Sequence, residues 1–219
     1  TPPQVIAESP ADGATGVNSK KATLYFSEYI KIDNPTENVV VSPPQKEAPE
    51  IKNEGKKISV KLIDDLKPNT TYTIDFSNAI SDNNEGNPLG NYTYTFSTGD
   101  HIDTMEVAGC VVEADNLEPV KGILVGLYDN LADSAFTTLP MLRVARTDDT
   151  GHFDIKGVRN GNYHVFALQD ADNNYMFNAK SEMIAFDKTV YATTCRPDIR
   201  QDTIWRDSLH IQDIKRIPY

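Results

Sequence analysis

The chain has 219 residues, of which 24% are charged and 39% hydrophobic, with 12 Gly, 13 Pro and a formal net charge of −11. That length suits one large domain or two of about 100 residues each, and the turn-rich, moderately apolar composition belongs to a globular chain rather than a disordered one. An acidic balance without any stripe of Lys and Arg excludes nucleic acid as a partner, and no apolar run approaches the ~20 residues of a membrane span. The opening Thr1-Pro2-Pro3-Gln4-Val5 lacks the charged and apolar regions of a signal peptide, so an exported form would carry its targeting segment outside this chain.

Residues 1–99 read as a first β-sandwich. After the turn cluster Ser9-Pro10-Ala11-Asp12-Gly13, the residues Ala22, Leu24 and Phe26 alternate with Thr23, Tyr25 and Ser27, the period of a half-buried strand. Val39-Val40-Val41 is a short strand stopped by Pro43 and Pro44, which cannot extend a ladder. Asn53-Glu54-Gly55 then separates Glu50-Ile51-Lys52 from a strand that turns Ile58, Val60 and Leu62 to one side, which predicts a hairpin. In Leu66-Lys67-Pro68-Asn69-Thr70-Thr71-Tyr72, the Tyr72 hydroxyl is expected to bond back to the backbone at a strand corner, with Ile74 and Phe76 following it into the core. Tyr92, Tyr94 and Phe96 alternate with Thr in the closing strand. Ser81-Asp82-Asn83-Asn84-Glu85-Gly86-Asn87 reads as a loop.

Residues 100–104 form a short linker, so the two units are expected to touch or to pivot over a small angle. In residues 105–190, the segment around Val107 to Val111 and that around Ile123 to Val125 are strands, and residues 130–140 place one helical turn over the sandwich. Asp148-Asp149-Thr150-Gly151 is turn chemistry, and Phe153 and Ile155 share one face of the strand that follows. The dipeptide Asn160-Gly161 predicts a hairpin to a second strand in which Tyr163, Val165 and Ala167 face one way and His164, Phe166 and Leu168 the other, so both of its faces are covered. Residues 183–186 make a last strand. The tail, residues 191–219, is charged but carries Ile204, Trp205, Leu209, Ile211, Ile214 and Ile217; it either packs on the second unit or begins a further domain.

Two resemblances follow from these runs. The pattern T-D-x-x-G-x-F-x-I-x-x-V-x-x-G-x-Y-x-V-x-A, Thr147 to Ala167, together with Val107-Ala108-Gly109-Cys110-Val111 and Pro119-Val120-Lys121-Gly122, resembles the carboxypeptidase regulatory-like domain, a transthyretin-like (prealbumin-like) sandwich. Ser9-Pro10-Ala11-Asp12-Gly13-Ala14-Thr15-Gly16-Val17, Gly86-Asn87-Pro88-Leu89 and Phe96-Ser97-Thr98-Gly99 together are similar to the bacterial Ig-like domain of S-layer proteins. The resemblances imply an all-β chain of two tandem β-sandwich domains, Ig-like over 1–99 and transthyretin-like over 105–190. Such a tandem resembles surface or periplasmic lipoproteins of gut-dwelling Gram-negative bacteria. It implies a stalk or interaction module with an envelope protein or a glycan as partner, and membrane attachment only through a lipid anchor outside this chain. Asp103-Thr104-Met105, Asp133-Ser134-Ala135, Asp202-Thr203-Ile204 and Asp207-Ser208-Leu209 look like O-glycosylation sites of exported proteins in such bacteria.

Catalytic signatures are absent: no G-x-S-x-G, H-E-x-x-H, phosphate loop or C-x-x-C is present, and His101, His152, His164 and His210 are scattered. The expectation is a non-enzyme. Cys110, in an apolar strand pattern, and Cys195, in the polar tail, read more readily as lone thiols than as a bridge. One constellation stands out, the oxygen-rich run carrying Asp170, Asp172, Asn174, Asn178 and Glu182. Alternating oxygens suit calcium and copy the first half of an EF-type loop, but Tyr175 stands where the turn Gly belongs and Glu182 arrives one place late. The alternative is an Asx-rich turn whose side chains only satisfy the backbone. A glycan-binding module, with this loop holding calcium near the sugar, is the rival function. Its exposed aromatic candidates are Tyr29, Tyr128, Tyr175, Tyr191 and Trp205, in no evident row.

Overall fold

The computed structural model describes residues 1–194, together with the backbone of two further strands at Ile199–Trp205 and Gln212–Pro218. In chain order the first unit comprises β1 (Val5–Ser9), β2 (Lys21–Phe26), β3 (Ile30–Ile32), the single turn α1 (Pro35–Asn38), β4 (Val40–Ser42), β5 (Glu50–Asn53), β6 (Lys57–Lys61), β7 (Thr71–Ser77), β8 (Ile80–Asp82) and β9 (Tyr92–Ser97). The second comprises β10 (Met105–Cys110), β11 (Leu124–Tyr128), the turn α2 (Ala135–Thr138), β12 (Arg143–Arg146), β13 (His152–Val158), β14 (Asn162–Leu168), β15 (Ile184–Phe186) and β16 (Tyr191–Ala192). The fold is all-β, with two tandem sandwiches. Among the described residues no helix is long and apolar enough to cross a membrane.

In the N-terminal sandwich a sheet of order β1-β2-β6-β5 lies over a sheet of order β4-β7-β9. The period-2 pattern drives this, because it turns Leu24, Phe26, Ile58, Val60, Ile74, Phe76 and Phe96 into one shared core. Burial of each large side chain contributes about 1.5–3 kcal/mol. The expected β5–β6 hairpin is present, with Ile51 opposite Val60. Tyr72 is buried and its hydroxyl accepts the Lys67 N–H at 2.8 Å, the expected corner. After β1 the chain crosses to the other sheet: Gly13 N–H donates to Thr95 O, Ser97 N–H to Ala14 O and Gly16 N–H to Gly99 O. The Asp12 carboxylate accepts the Thr95 N–H at 2.8 Å, which explains an Asp at that turn.

In the C-terminal sandwich the larger sheet runs β12-β11-β14-β15, with β16 also on β14, and the smaller pairs β10 with β13. Between them lie Val125, Leu127, Ile155, Val158, Tyr163 and Ala167. The predicted β13–β14 hairpin does not form. β13 pairs with β10, whereas β14 lies between β11 and β15, so Asn160-Gly161 sits in an arch that carries the chain from one sheet to the other. Local turn chemistry was overridden by burial: both faces of β14 are apolar, and such a strand is best placed between two neighbours inside a covered sheet. The arch is tied down instead by Tyr163, whose hydroxyl donates to Arg159 O at 2.8 Å, and by Gly161 N–H donating to Thr193 Oγ1 at 2.8 Å.

The two sandwiches meet through edge strands. Arg143, on β12, is only 5% exposed and reaches across to Ser42 O, at 3.2 Å, and to Thr71 O, while its other terminal nitrogen donates to Lys156 O at 2.6 Å. Val144 N–H donates to Ser42 Oγ at 3.1 Å, and Val40 packs with Leu124, Tyr128 and Val144 in one cluster. Gly157, at φ +67°, passes so close that a Cβ would lie 2.3 Å from Arg143 Nη2. The linker is also fixed, since Asp103 N–H donates to Thr71 Oγ1 at 2.8 Å and Arg159 contacts Asp103 at 3.5 Å and donates to Asn69 O at 2.7 Å. Of the two expected arrangements, touching or pivoting over a small angle, the structure has the first, as a packed junction.

The tail strands β17 (Ile199–Trp205) and β18 (Gln212–Pro218) pair with each other. The side chain of Trp205 and all of Cys195 and His210 lie outside the described residues. Cys110 is an exposed thiol.

Arg143→Ala leaves three carbonyls without their donor and is expected to cost roughly 3 kcal/mol. Calorimetry should show one transition for the parent chain and two for the variant, with proteolysis opening residues 100–104 only in the variant. Asp82 generates a second prediction. Its carboxylate accepts the backbone N–H groups of Glu85, Asn84, Gly86 and Asn87, and the first of these does most to hold its pKa down to about 2. That value lies below the ~3.9 of an unfolded chain, so the contribution is complete above about pH 5 and is lost as pH falls through about 2. Urea midpoints of the parent chain and Asp82→Asn should differ at neutral pH and converge near the acid end of that window.

Candidate functional site

The outer face of the larger C-terminal sheet gathers the polar and aromatic residues that chemistry could use. Loop 169–183 leaves β14 and returns as β15, and its neck is closed by Leu168 opposite Ile184 and by Gln169 N–H donating to Met183 O at 2.8 Å. Inside the loop, Asp170 accepts the Tyr175 N–H at 2.8 Å and the Asn174 N–H at 3.3 Å. Those bonds hold Asn173 and Tyr175 at φ +58° and +61°, which is how a Tyr occupies a position where Gly would be expected. Glu182 is buried and accepts the N–H groups of Asn178 and Ala179, both at 3.1 Å, and of Ala171 at 3.3 Å.

Of the five candidate ligands, the structure brings together the carboxylates of Asp170, Asp172 and Glu182, with one oxygen from each lying within 4.8 Å of the others. Glu182 reaches the group despite its late position because the turn Glu182 N–H to Ala179 O folds the chain back. Asn174 and Asn178 play a different part. Both donate through Nδ2 to Asp172, at 2.7 and 3.2 Å, and Asn174 Oδ1 accepts the Met176 N–H at 2.7 Å. Burial pushes the Asp170 carboxyl up, with neighbouring Asp172 adding to the rise, while the Asn178 amide leads the interactions that hold Asp172 down. Three acids at this spacing could hold a hard cation, which would relieve their mutual repulsion.

Loop 169–183 also docks on α2, through Phe177 against Phe136, ring centres 5.8 Å apart, and on the segment after it, through Met141 N–H donating to Tyr175 O at 3.1 Å. From Phe136 a row continues over Phe166, at 5.0 Å, to Phe186, at 5.9 Å, with successive rings stacked at 25° and 29° to each other. Phe186 is 59% exposed, and the row floors a hollow of about 490 Å³ rimmed by Asp133, His164, Asp187 and Lys188. Sequence reading missed this row, having considered Tyr and Trp. Its signal was present in the matching phases of β14 and β15, which place Phe166 opposite Phe186. Tyr128, expected to be exposed, is buried edge-on against Phe166; Tyr175 is half-buried, and Tyr29 and Tyr191 are exposed as expected.

The described histidines have local partners. His101 lies 2.8 Å from Asp100, His152 lies 3.0 Å from Thr150 Oγ1, and His164 stands beside Phe166.

Residues 1–98 match the family model described as a bacterial Ig-like domain. No curated protein matches the chain. Among solved structures it is similar to the N-terminal part of the bacterial S-layer protein SbsC, at 14% identity and TM-score 0.31, over 85% of this chain and 44% of that one. It is similar to an L,D-transpeptidase from Mycobacterium smegmatis at 15% identity and TM-score 0.30, over 67% of this chain and 77% of that one. The T6 backbone pilin of serotype M6 Streptococcus pyogenes aligns at 12% identity and TM-score 0.26, over 75% of this chain and 46% of that one. The chain thus spans less than half the length of the S-layer fragment and of the pilin.

Glu182→Ala removes the acceptor of three backbone donors and is expected to cost about 1–3 kcal/mol. Hydrogen exchange should then rise selectively at the amides of Ala171, Asn178 and Ala179 while the amides of β7 stay protected.

Proposed function

We propose that this chain is a non-catalytic extracytoplasmic module of a bacterial cell-envelope lipoprotein, a stiff stalk that presents or docks a partner at the cell surface or in the periplasm. In this reading residues 1–99 are an Ig-like sandwich, residues 105–190 a carboxypeptidase regulatory-like one and residues 100–104 their linker, with the lipid anchor outside this chain. The observation that carries it is the Arg143 junction: a buried guanidinium bonded to carbonyls of both sandwiches removes the hinge that a five-residue linker would otherwise supply. The match of residues 1–98 to the bacterial Ig-like family supports the same reading.

A second reading, capture of a polysaccharide with calcium in the Asp170 loop, is favoured by the stacked phenyl row beside Asp133 and His164. Aromatic faces take the apolar face of a sugar ring, and the rim supplies partners for its hydroxyls. Calorimetric titration with a panel of host and dietary polysaccharides, with calcium and again with chelator, separates the two. The stalk reading expects no heat at protein concentrations adequate for millimolar affinity. Saturable, calcium-dependent heat that disappears in Phe186→Ala and in Asp172→Asn would replace it with the glycan reading.

A further inference from the structure

Between the two sandwiches, away from the phenyl row, lies a cleft of about 330 Å³, within the ~300–1,000 Å³ usual for small-ligand sites and in the place, a domain boundary, where such sites concentrate. Its walls are apolar, with Val39, Ile51 and Pro49 from the first sandwich and Leu124 from the second. Its polar residues are Arg146, Lys46, Thr36, Gln45, Asn173 and Tyr175. No Asp or Glu lines it, in a chain that carries 32 of them.

Among the described residues Arg146 is one of two arginines, with Arg143, whose buried Nε has no acceptor. One terminal nitrogen of Arg146 donates to Gly122 O at 2.8 Å, but its Nε is buried with no acceptor; among the described residues no carboxylate lies within salt-bridge distance of the Arg146 guanidinium or of Lys46 Nζ, while Asp64 accepts the Lys46 backbone N–H at 2.6 Å. A buried guanidinium donor without an acceptor is costly, and an arginine fork is shaped for a planar oxyanion. We propose that this cleft binds a small organic anion, a carboxylate on an apolar body, with Arg146 and Lys46 taking the carboxylate and the Val39, Ile51 and Leu124 walls taking the body. Such a ligand would touch both sandwiches at once. Neutral polysaccharide at the phenyl row would compete for none of these groups.

The test is calorimetric titration of the whole chain with monocarboxylates from acetate to phenylacetate, each beside its neutral amide. Saturable binding that tightens with the size of the apolar body, at least tenfold stronger for each acid than for its amide, is expected. Arg146→Gln should weaken the acids at least tenfold and leave the amides unchanged. Lys46→Gln, on an exposed side chain, should keep the melting temperature of the parent chain and still weaken the acids severalfold. Equal binding of acid and amide, no saturable heat with any acid, or acid binding unchanged in Lys46→Gln and Arg146→Gln would overturn the proposal.

Discussion

A single buried cation governs how the two halves of this molecule relate. Arg143 carries its charge into a nearly dry junction, where desolvation lowers its pKa to about 10 and the nearby Asp103 is the chief opposing influence. It remains protonated near neutral pH, and its compensation comes mainly from oxygens of neutral groups: Ser42, Thr71 and Lys156 through their carbonyls and Thr73 through its hydroxyl. A charge held in this way is weak evidence for stability in itself, because burial costs offset much of the gain. Its value is geometric. The carbonyls come from both sandwiches, so they must stay in one arrangement for the two terminal nitrogens to keep their acceptors.

That arrangement solves a second problem. β4 and β12 are edge strands of their sheets, and exposed edges invite pairing with other chains. Here each edge covers the other, with side-chain bonds such as Val144 N–H to Ser42 Oγ rather than a ladder, and Val40 adds an apolar contact to the cluster of Leu124, Tyr128 and Val144. Gly157 makes room for the arginine and lies at the end of β13, where the chain leaves its sheet.

The loops rely on a different economy. Asp82 and Asp170 each collect backbone N–H groups of the residues that follow, so an irregular segment keeps its donors satisfied without a neighbouring strand. The two differ in company. Asp82 has Glu85 nearby but its carboxyl is held low by backbone N–H groups, whereas Asp170 meets Asp172 and Glu182 and is pushed up by burial and by Asp172. The same backbone device therefore yields a structural turn in one place and a concentrated negative site in the other.

Much was legible in the residues alone. Alternation in Ala22 to Phe26 and in Ile58 to Leu62, the corner at Tyr72, the β5–β6 hairpin, the helical turn within residues 130–140 and the polar character of both Asp loops are set by forces acting within a few residues, and each is written in local order. What the chain does beyond that range was not. Asn160-Gly161 favoured a hairpin, and only the competition among β11, β14 and β15 for covered positions sent β13 to another sheet. Likewise the burial of Tyr128, the phenyl row built from α2, β14 and β15, and the contact of Arg143 with residues some 70 to 100 positions earlier depend on which faces meet. Periodicity states which side of a strand is apolar; only packing decides what that side touches.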